Sequence, residues 1–183
     1  MRVIPPKNNS TVKPTIDIKN EESKESEKKS DSKIEDLFIK LLGKECYTLN
    51  QFGTIWEHYK VEGLFGVAKF TEKLYCETKC NCKLIKKYLI TKNYKFAYPA
   101  IEAIKMDVSF EDAKSNEEEI IELITKGIED TDCFYTKSVL TELGNRHVKN
   151  LHLIDIAIDV STNSKDKLLI SYILGETCAN VKN

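Results

Sequence analysis

Apolar residues recur at helical spacing along most of the chain after about residue 34. The stretch LFGVAKFTEKLYCETKCNCKLIKKYLI, residues 64–90, is the most regular example and predicts a helix with one buried stripe. Its apolar members are Val67, Phe70, Leu74, Leu84 and Tyr88. The stripe also passes through Glu77 and close to Cys80. A buried carboxylate is costly unless it is paired, hydrogen-bonded or coordinated. Glu77 is therefore either a stripe-edge residue that reaches solvent or a ligand inside a helical bundle.

A second helical stripe precedes this one. Its apolar positions are Ile34, Leu37, Phe38, Leu41, Leu42, Phe52, Ile55 and Tyr59. The same phase brings Glu45 and Thr48 to the buried face, so Glu45 is a second carboxylate on a core stripe. Ser32 and Glu35 form an S-x-x-E capping box, which predicts that the helix begins there. The short turn at 60–63 makes the first two helices antiparallel neighbours.

The pattern changes after Ile90. Residues 91–106 contain Pro99 and show no sustained helical period, so we expect a long crossing connection with one helical turn near 101–104. Ser109 and Asp112 predict the cap of a third helix that runs to about Asp130. The buried side of this helix is predicted to hold Ile120, Ile121, Ile124 and Ile128.

A fourth helix is predicted from about 133 to 160, and a short fifth helix in DKLLISYILGE. The fourth stripe holds Leu140, Leu143, His147, Leu151, Ile154 and Ile158. A buried histidine such as His147 is satisfied either by a hydrogen bond or by a metal. Four long helices, two tight turns and one long connection predict an all-α four-helix bundle with one long crossover connection and a short C-terminal fifth helix.

Composition bounds the domain and its partners. The chain of 183 residues is one domain, which we divide into a disordered charged tail (1–33), the bundle (34–177) and a C-terminal tail (178–183). The net charge of −1 gives no electrostatic case for nucleic acid or an anionic membrane as partner. With no apolar leader or membrane-spanning run, a cytoplasmic location is expected, and the six Cys are expected to be reduced thiols that match no zinc pattern.

From about Ile34 to Glu176 the chain resembles the ferritin family. The piece ECYTLNQFGTIWEHY is similar to the family's first helix, in which the Glu of a Glu-Leu-Tyr-Ala run binds iron; Glu45 holds that place. The piece VAKFTEKLYCETKCNCKL is similar to Phe-Ala-Lys-Phe…Glu-Glu-Arg-Glu-His-Ala-Glu-Lys-Leu, whose bridging Glu falls on Glu77 and whose ligand His falls on Cys80. The pieces EEEIIELITKGIEDTD, TKSVLTELGNRHVKNL and YILGE follow the family's third, fourth and fifth helices in order.

The resemblance implies an altered metal site. Ferritin subunits that oxidise iron hold two irons with carboxylates from three helices, a His and a Gln. Here the third-helix Glu falls on Ala113 and the fourth-helix Gln on His147. The remaining set, Glu45, Glu77, Cys80 and His147, would hold a divalent metal such as iron weakly or not at all, and organised two-iron chemistry is not expected.

Three functions follow from the resemblance. The first is an iron-binding or iron-storage subunit without its own ferroxidase activity, in a homo-oligomer or in a hetero-oligomer with active ferritin chains. The second is an iron-independent cage or chaperone-like protein of the ferritin fold. The third is an oxidase that uses a residual site at Glu45 and Glu77.

Overall fold

The computed structural model describes the backbone of residues 19–98, 100–101, 103–104 and 109–180, and the side chains of 32–179 within those ranges. The described residues form five helices and no strand. The helices are α1 (Lys19–Val61), α2 (Phe65–Thr91), α3 (Phe110–Glu129), α4 (Phe134–Asn163) and α5 (Lys167–Asn180). The all-α prediction with four long helices and a short fifth one is therefore confirmed.

Helix α1 begins upstream of its predicted start. It runs from Lys19, so Ser32 lies inside the helix and the predicted start at that residue is wrong. The segment 19–31 is rich in Glu and Lys, which have high helix propensity, and several of them stand three or four residues apart with opposite charge. Such a segment has no apolar face of its own, but it can continue a helix that is anchored downstream. Residues 1–18 of the predicted tail lie outside the described residues.

The predicted start of α3 is confirmed in atomic detail. The Ser109 hydroxyl accepts from the backbone N–H of Asp112 at 3.2 Å, and the Asp112 carboxylate accepts from the backbone N–H of Ser109 at 2.9 Å. This capping box satisfies two backbone donors at the end of the crossover connection. The helical turn expected near 101–104 is absent at the residues described there.

Neighbouring helices of the bundle run antiparallel. Phe38, near the middle of α1, stacks on Tyr88 in the last turn of α2, with ring centroids 3.8 Å apart, and the turn from Tyr59 to Leu64 joins the two helices at the other end of α2. Likewise, Lys114 of α3 pairs with Asp155 of α4 at 2.7 Å near the start of α3. Helices α1 and α3 are also neighbours, and so are α2 and α4. Helices α2 and α3 lie diagonally across the bundle and meet through the rings of Phe70 and Phe110, which stand near the starts of the two helices. Helices α2 and α3 therefore point the same way, and the connection between them has to cross the length of the bundle, as predicted.

Helix α5 packs against the first turns of α2 at unusually short range. The backbone N–H of Gly66 donates to the Ser171 hydroxyl at 2.9 Å. A Cβ atom added at Gly66 would lie 1.7 Å from the Ser171 carbonyl oxygen, and one added at Gly175 would lie 3.2 Å from the Gly66 Cα. Glycine is therefore needed at position 66 for α5 to reach the bundle.

The bundle interior consists of two apolar clusters with polar residues between them. One cluster surrounds Phe38, Leu42 and Tyr88 near one end, and the other surrounds Phe52, Phe70 and Ile154 near the other end. Between them each long helix contributes buried polar side chains, which we call the polar layer: Glu45, Thr48, Gln51, Thr78, Asn81, Asn116, Glu117, His147 and Asn150.

No helix among the described residues is long and apolar enough to cross a membrane.

The predicted stripe of α4 differs from the structure at Leu151 and at Ile158, which is also half-buried. Leu151 is only half-buried, and the buried positions beside it are Asn150, Leu153 and Ile154. The sequence places Leu151 four residues after His147, but the helix turns Asn150, three residues after His147, toward the interior instead. Both spacings lie on one helical face, so the stripe alone does not separate them.

We expect Leu74→Ala to cost about 2–5 kcal/mol of unfolding free energy, because Leu74 is fully buried and its truncation leaves a cavity. Leu151→Ala is the matched control and should cost clearly less. Urea melts of both variants measure the difference. Equal losses of unfolding free energy in the two variants would contradict the burial of Leu74 and the partial exposure of Leu151.

We expect Gly66→Ala to displace α5 and to cost about 1–3 kcal/mol, since the new methyl group meets backbone that has no room to move. The control is Gly53→Ala, where an added Cβ meets only the Tyr75 ring at 3.6 Å, an ordinary contact. That change should stabilise α1 by about 1 kcal/mol. Thermal melts, with hydrogen exchange across α5, distinguish the two; similar exchange in both variants would contradict the close packing.

Candidate functional site

The centre of the polar layer is an imidazole held between two carboxylates. His147 of α4 has its Nδ1 atom 2.6 Å from Oε2 of Glu117 on α3, and its Nε2 atom 2.6 Å from Oε1 of Glu45 on α1. All three side chains are buried, with at most 1% of each exposed. Both nitrogens are within short hydrogen-bond distance of a carboxylate oxygen, which is the arrangement of an imidazolium that donates twice.

The electrostatics of the cluster favour that protonated form. Burial alone would lower the pKa of His147, but the hydrogen bonds and negative charges of Glu117 and Glu45 outweigh it and raise the pKa to about 10. Burial raises the pKa of Glu45 above its usual value, an effect that His147 partly offsets. One cation thus holds two acids that would otherwise repel each other in a low-dielectric interior.

Amides and hydroxyls surround this cluster. Asn81 of α2 has its Nδ2 atom 3.4 Å from His147 Nε2, and its amide also donates to Glu45. The Asn116 amide donates to the Thr48 hydroxyl, and Lys44 reaches inward to the Asn116 side-chain oxygen at 3.4 Å. The layer therefore extends from the buried ion pairs toward the surface between α1 and α3.

Unpaired polar atoms are concentrated in the polar layer. Among the described residues, five buried side-chain atoms lack a hydrogen-bond partner: Glu45 Oε2, Gln51 Oε1, Asn81 Oδ1, Glu117 Oε1 and Asn150 Nδ2. Each belongs to the layer, and all except one are acceptors. The layer thus has an excess of buried acceptors over donors, which is costly in a protein interior.

Two of the four predicted ligands lie together and two lie elsewhere. Glu45 and His147 form the ion pair described above, as expected from their stripes. Glu77 is half-buried and Cys80 is exposed, so Glu77 fits the stripe-edge alternative, and neither side chain joins Glu45 in the interior as the ligand set implied by the resemblance would require. The interior positions of α2 at this level are Thr78 and Asn81, each one residue further along. The error arises at Leu74, since positions three and four residues later share one helical face.

Glu117 is the residue of the candidate site that the sequence analysis did not predict. Ala113 was assigned to the third-helix ligand position, but it is buried in an apolar cluster, and Glu117 lies one turn further along the same face. Extending the buried stripe back from Ile124 and Ile120 leads to Glu117, so a signal was present in the sequence. Glu117 is the first of three consecutive glutamates, and a run of charged residues is usually taken as exposed.

The polar layer does not fit a two-iron centre. Both nitrogens of His147 lie 2.6 Å from carboxylate oxygens, and its raised pKa favours the form with a proton on each nitrogen, whereas a metal-binding histidine must present a free ring nitrogen. Helix α2 offers Thr78 and Asn81 in place of a carboxylate and an imidazole. In the part of the chain that the structure describes, no group of three or more His, Cys, Asp or Glu is arranged to hold a metal ion. The imidazolium supplies the positive charge that a cation would otherwise bring.

The six cysteines are free thiols, in agreement with the sequence prediction. Cys46 and Cys82 are buried beside the ion-pair cluster, and Cys76, Cys80 and Cys133 are exposed. Burial, reinforced by the charge of Glu45, raises the pKa of Cys82 far above that of a free thiol. The buried thiols therefore act as small apolar groups that pack against the layer.

We expect the stabilisation by His147 to depend on pH. Its pKa of about 10 in the folded chain lies above the unfolded value of about 6.5, so the folded state binds the proton more tightly. The contribution is complete below about pH 6.5 and is lost as the pH rises through about 10. His147→Gln should therefore cost about 3–5 kcal/mol at pH 6.5, because it leaves two buried carboxylates unpaired, and less at higher pH.

Urea-unfolding free energies from pH 6 to 10.5 measure this effect. The matched control is His152→Gln, which removes an exposed histidine from the same helix and should follow the wild-type profile. A constant gap between wild type and His147→Gln across the whole range would show that the buried imidazole is not charged.

Comparison with solved structures shows the fold. No protein-family model matches the sequence, and no match was found among curated proteins. Among solved structures, the chain is similar to a humanized archaeal ferritin, with 15% identity, a TM-score of 0.69, and coverage of 82% of this chain and 96% of that one. It is also similar to BfrA from M. tuberculosis, with 12% identity, a TM-score of 0.69, and coverage of 80% and 92%. The chain therefore has the ferritin-like fold.

Proposed function

We propose that this chain is a ferritin-like subunit that does not oxidise iron itself and that serves as a structural member of an assembly. The observation that supports this most is the His147 bridge. The imidazolium lies between the facing carboxylates of Glu45 and Glu117. By the sequence resemblance, Glu45 and His147 fall on metal-ligand positions of iron-oxidising ferritin subunits. Iron as a substrate would have to displace a charge-paired side chain that is fully buried, which costs several kcal/mol.

Exposed apolar side chains support the assembly part of the proposal. Among the described residues, the end of the bundle that carries α5 exposes five large apolar side chains, and a smaller group at the opposite end includes Ile90 and Phe134. The five are Val61, Phe65, Leu168, Leu169 and Tyr172. Concentrations of exposed apolar surface commonly mark protein–protein contacts. The partners proposed are further copies of this chain or active ferritin chains.

The iron-independent alternative also has an observation in its favour. His147 offsets one of the two buried carboxylate charges, and burial raises the pKa of Glu45, which favours its neutral form, so the centre of the fold needs less positive charge from a metal. The mass of the purified assembly in solution, together with its metal content, distinguishes the iron-storage hypothesis from the iron-independent one. Iron in the assembly favours a storage role in company with other chains, and a metal-free assembly favours an iron-independent cage.

We expect no catalysed oxidation of ferrous iron by the purified chain. Ferrous iron is added aerobically and the rise of ferric absorbance is compared with a buffer blank; the two rates should agree. A rate well above the blank that is lost in Glu45→Gln and kept in Glu77→Gln would refute the proposal. Glu77 is a suitable control because it carries the same group outside the polar layer.

A gain of activity tests the same idea from the opposite side. The triple variant Thr78→Glu, Asn81→His, His147→Gln places a carboxylate and an imidazole on α2 and removes the bridging cation. Together with Glu45 and Glu117 it provides carboxylates from three helices, a His and a Gln. We expect it to bind ferrous iron, with a thermal midpoint that rises on metal addition, while the wild type shows no such rise. A rise of equal size in the wild type would show that His147 does not exclude the metal.

A further inference from the structure

The outer face of α2 carries two cysteines one helical turn apart. Cys76 and Cys80 are both exposed free thiols, whereas Thr78 and Asn81 of the same helix are buried in the polar layer. Residues four apart on a helix share one face, with Cβ atoms about 5–6 Å apart. The two thiols are therefore neighbours at the surface, outside the polar layer.

This spacing suits a metal ion between the thiols better than a disulfide bond. A disulfide requires Cβ atoms about 3.5–4.5 Å apart, which a regular helical turn does not provide. Two sulfurs on opposite sides of a metal ion, each about 2.3 Å from it, stand about 4.6 Å apart. Both side chains can reach that separation, because each sulfur lies one bond beyond its Cβ atom. The pair can therefore hold an ion without unwinding the helix.

The donor set favours a soft ion that needs few ligands. Thiolates select soft metals such as Cu(I), which accepts two of them in a near-linear arrangement. Structural zinc takes four ligands, and the described residues contain no group of three or more His, Cys, Asp or Glu arranged to hold a metal. Two cysteines without a third such ligand therefore fit Cu(I) better than Zn²⁺.

Nearby lysines match the charge of such a complex. Two thiolates and a Cu(I) ion carry one negative charge overall. Lys79 lies three residues after Cys76, and Lys83 lies three residues after Cys80; both lysines are exposed. Residues at this spacing are neighbours on the helix surface, so the ammonium groups offset the negative charge of the complex.

We propose that Cys76 and Cys80 form a surface site that binds Cu(I) as a complex with two thiolates. Binding forms two sulfur–copper bonds and releases the two thiol protons to solvent, and the oxidation state of copper does not change. The site is independent of iron and of the proposed role in an assembly.

The test is an anaerobic titration of Cu(I) into the reduced full-length chain in the presence of bicinchoninate, a chelator whose Cu(I) complex is coloured. We expect the wild type to remove about one Cu(I) per chain from the chelator. Cys76→Ser and Cys80→Ser should each lower the affinity by at least about 100-fold, because a second ligand held beside the first binds at little entropic cost. The control Cys133→Ser removes an exposed thiol with no Cys within four residues and should leave the affinity unchanged.

A double variant tests the spacing of the thiols at a constant number of thiols. Cys80→Ser combined with Lys83→Cys keeps two exposed positions as cysteine but places them seven residues, about 10 Å, apart. That distance exceeds the span of a two-coordinate ion, so the affinity should fall as far as in the single cysteine variants. Lys83→Ser alone is the control for the lost charge and should weaken binding much less. Because the changes are at exposed positions, the thermal midpoints should stay unchanged, which checks folding directly.

Three results would overturn the proposal. They are a wild type that takes no Cu(I) from the chelator, full affinity in Cys76→Ser, and full affinity in the double variant. Full affinity in Cys76→Ser with a loss in Cys82→Ser would assign the ion to the buried thiols Cys46 and Cys82 instead. A stoichiometry of about one Cu(I) per two chains would show a site shared between copies, which also rejects a site within one helix.

Discussion

The structure depends on one buried positive charge. Two glutamates from different helices enter the middle of the bundle, where a carboxylate without a partner is not tolerated, and the His147 imidazolium lies between them. The interaction explains why a fold with this layer can form without a metal. A histidine that donates through both nitrogens has no lone pair to offer a metal, and the proposed role without iron oxidation rests on this property.

The polar layer also defines how the helices are aligned. Apolar clusters on either side of it would tolerate small shifts of one helix along another, since leucine and isoleucine side chains can repack. The ion pairs would not, because a shift by one turn would separate His147 from Glu45 or from Glu117 and leave a charge unpaired. A buried polar group that lowers stability but fixes one alignment is well known from coiled coils, and the same reasoning applies here.

The sequence predicted the positions of the helices well, and the residues on the buried face of each helix less well. Apolar repeats and the Ser109 cap were sufficient to locate α2 to α5 and to infer the crossover, because these features depend on local spacing. The predicted ligand positions were wrong where two residues share one helical face. On α2 the buried residue is Thr78 and not Glu77, and on α3 the carboxylate comes from Glu117, one turn after Ala113. Such choices depend on how the helices are rotated about their axes when they pack, and that rotation is a property of the whole bundle.

The His147 bridge has a consequence for the order in which the chain assembles. Glu117 is 30 residues from His147 and belongs to the same helical hairpin, whereas Glu45 is 102 residues away in the other hairpin. Closing the longer loop costs about 1 kcal/mol more chain entropy. The shorter contact can therefore form while α3 and α4 pair, before the first hairpin docks. On this route α1 and α2 approach a charge that is already in place, and Glu45 becomes buried only at the step that completes the bundle.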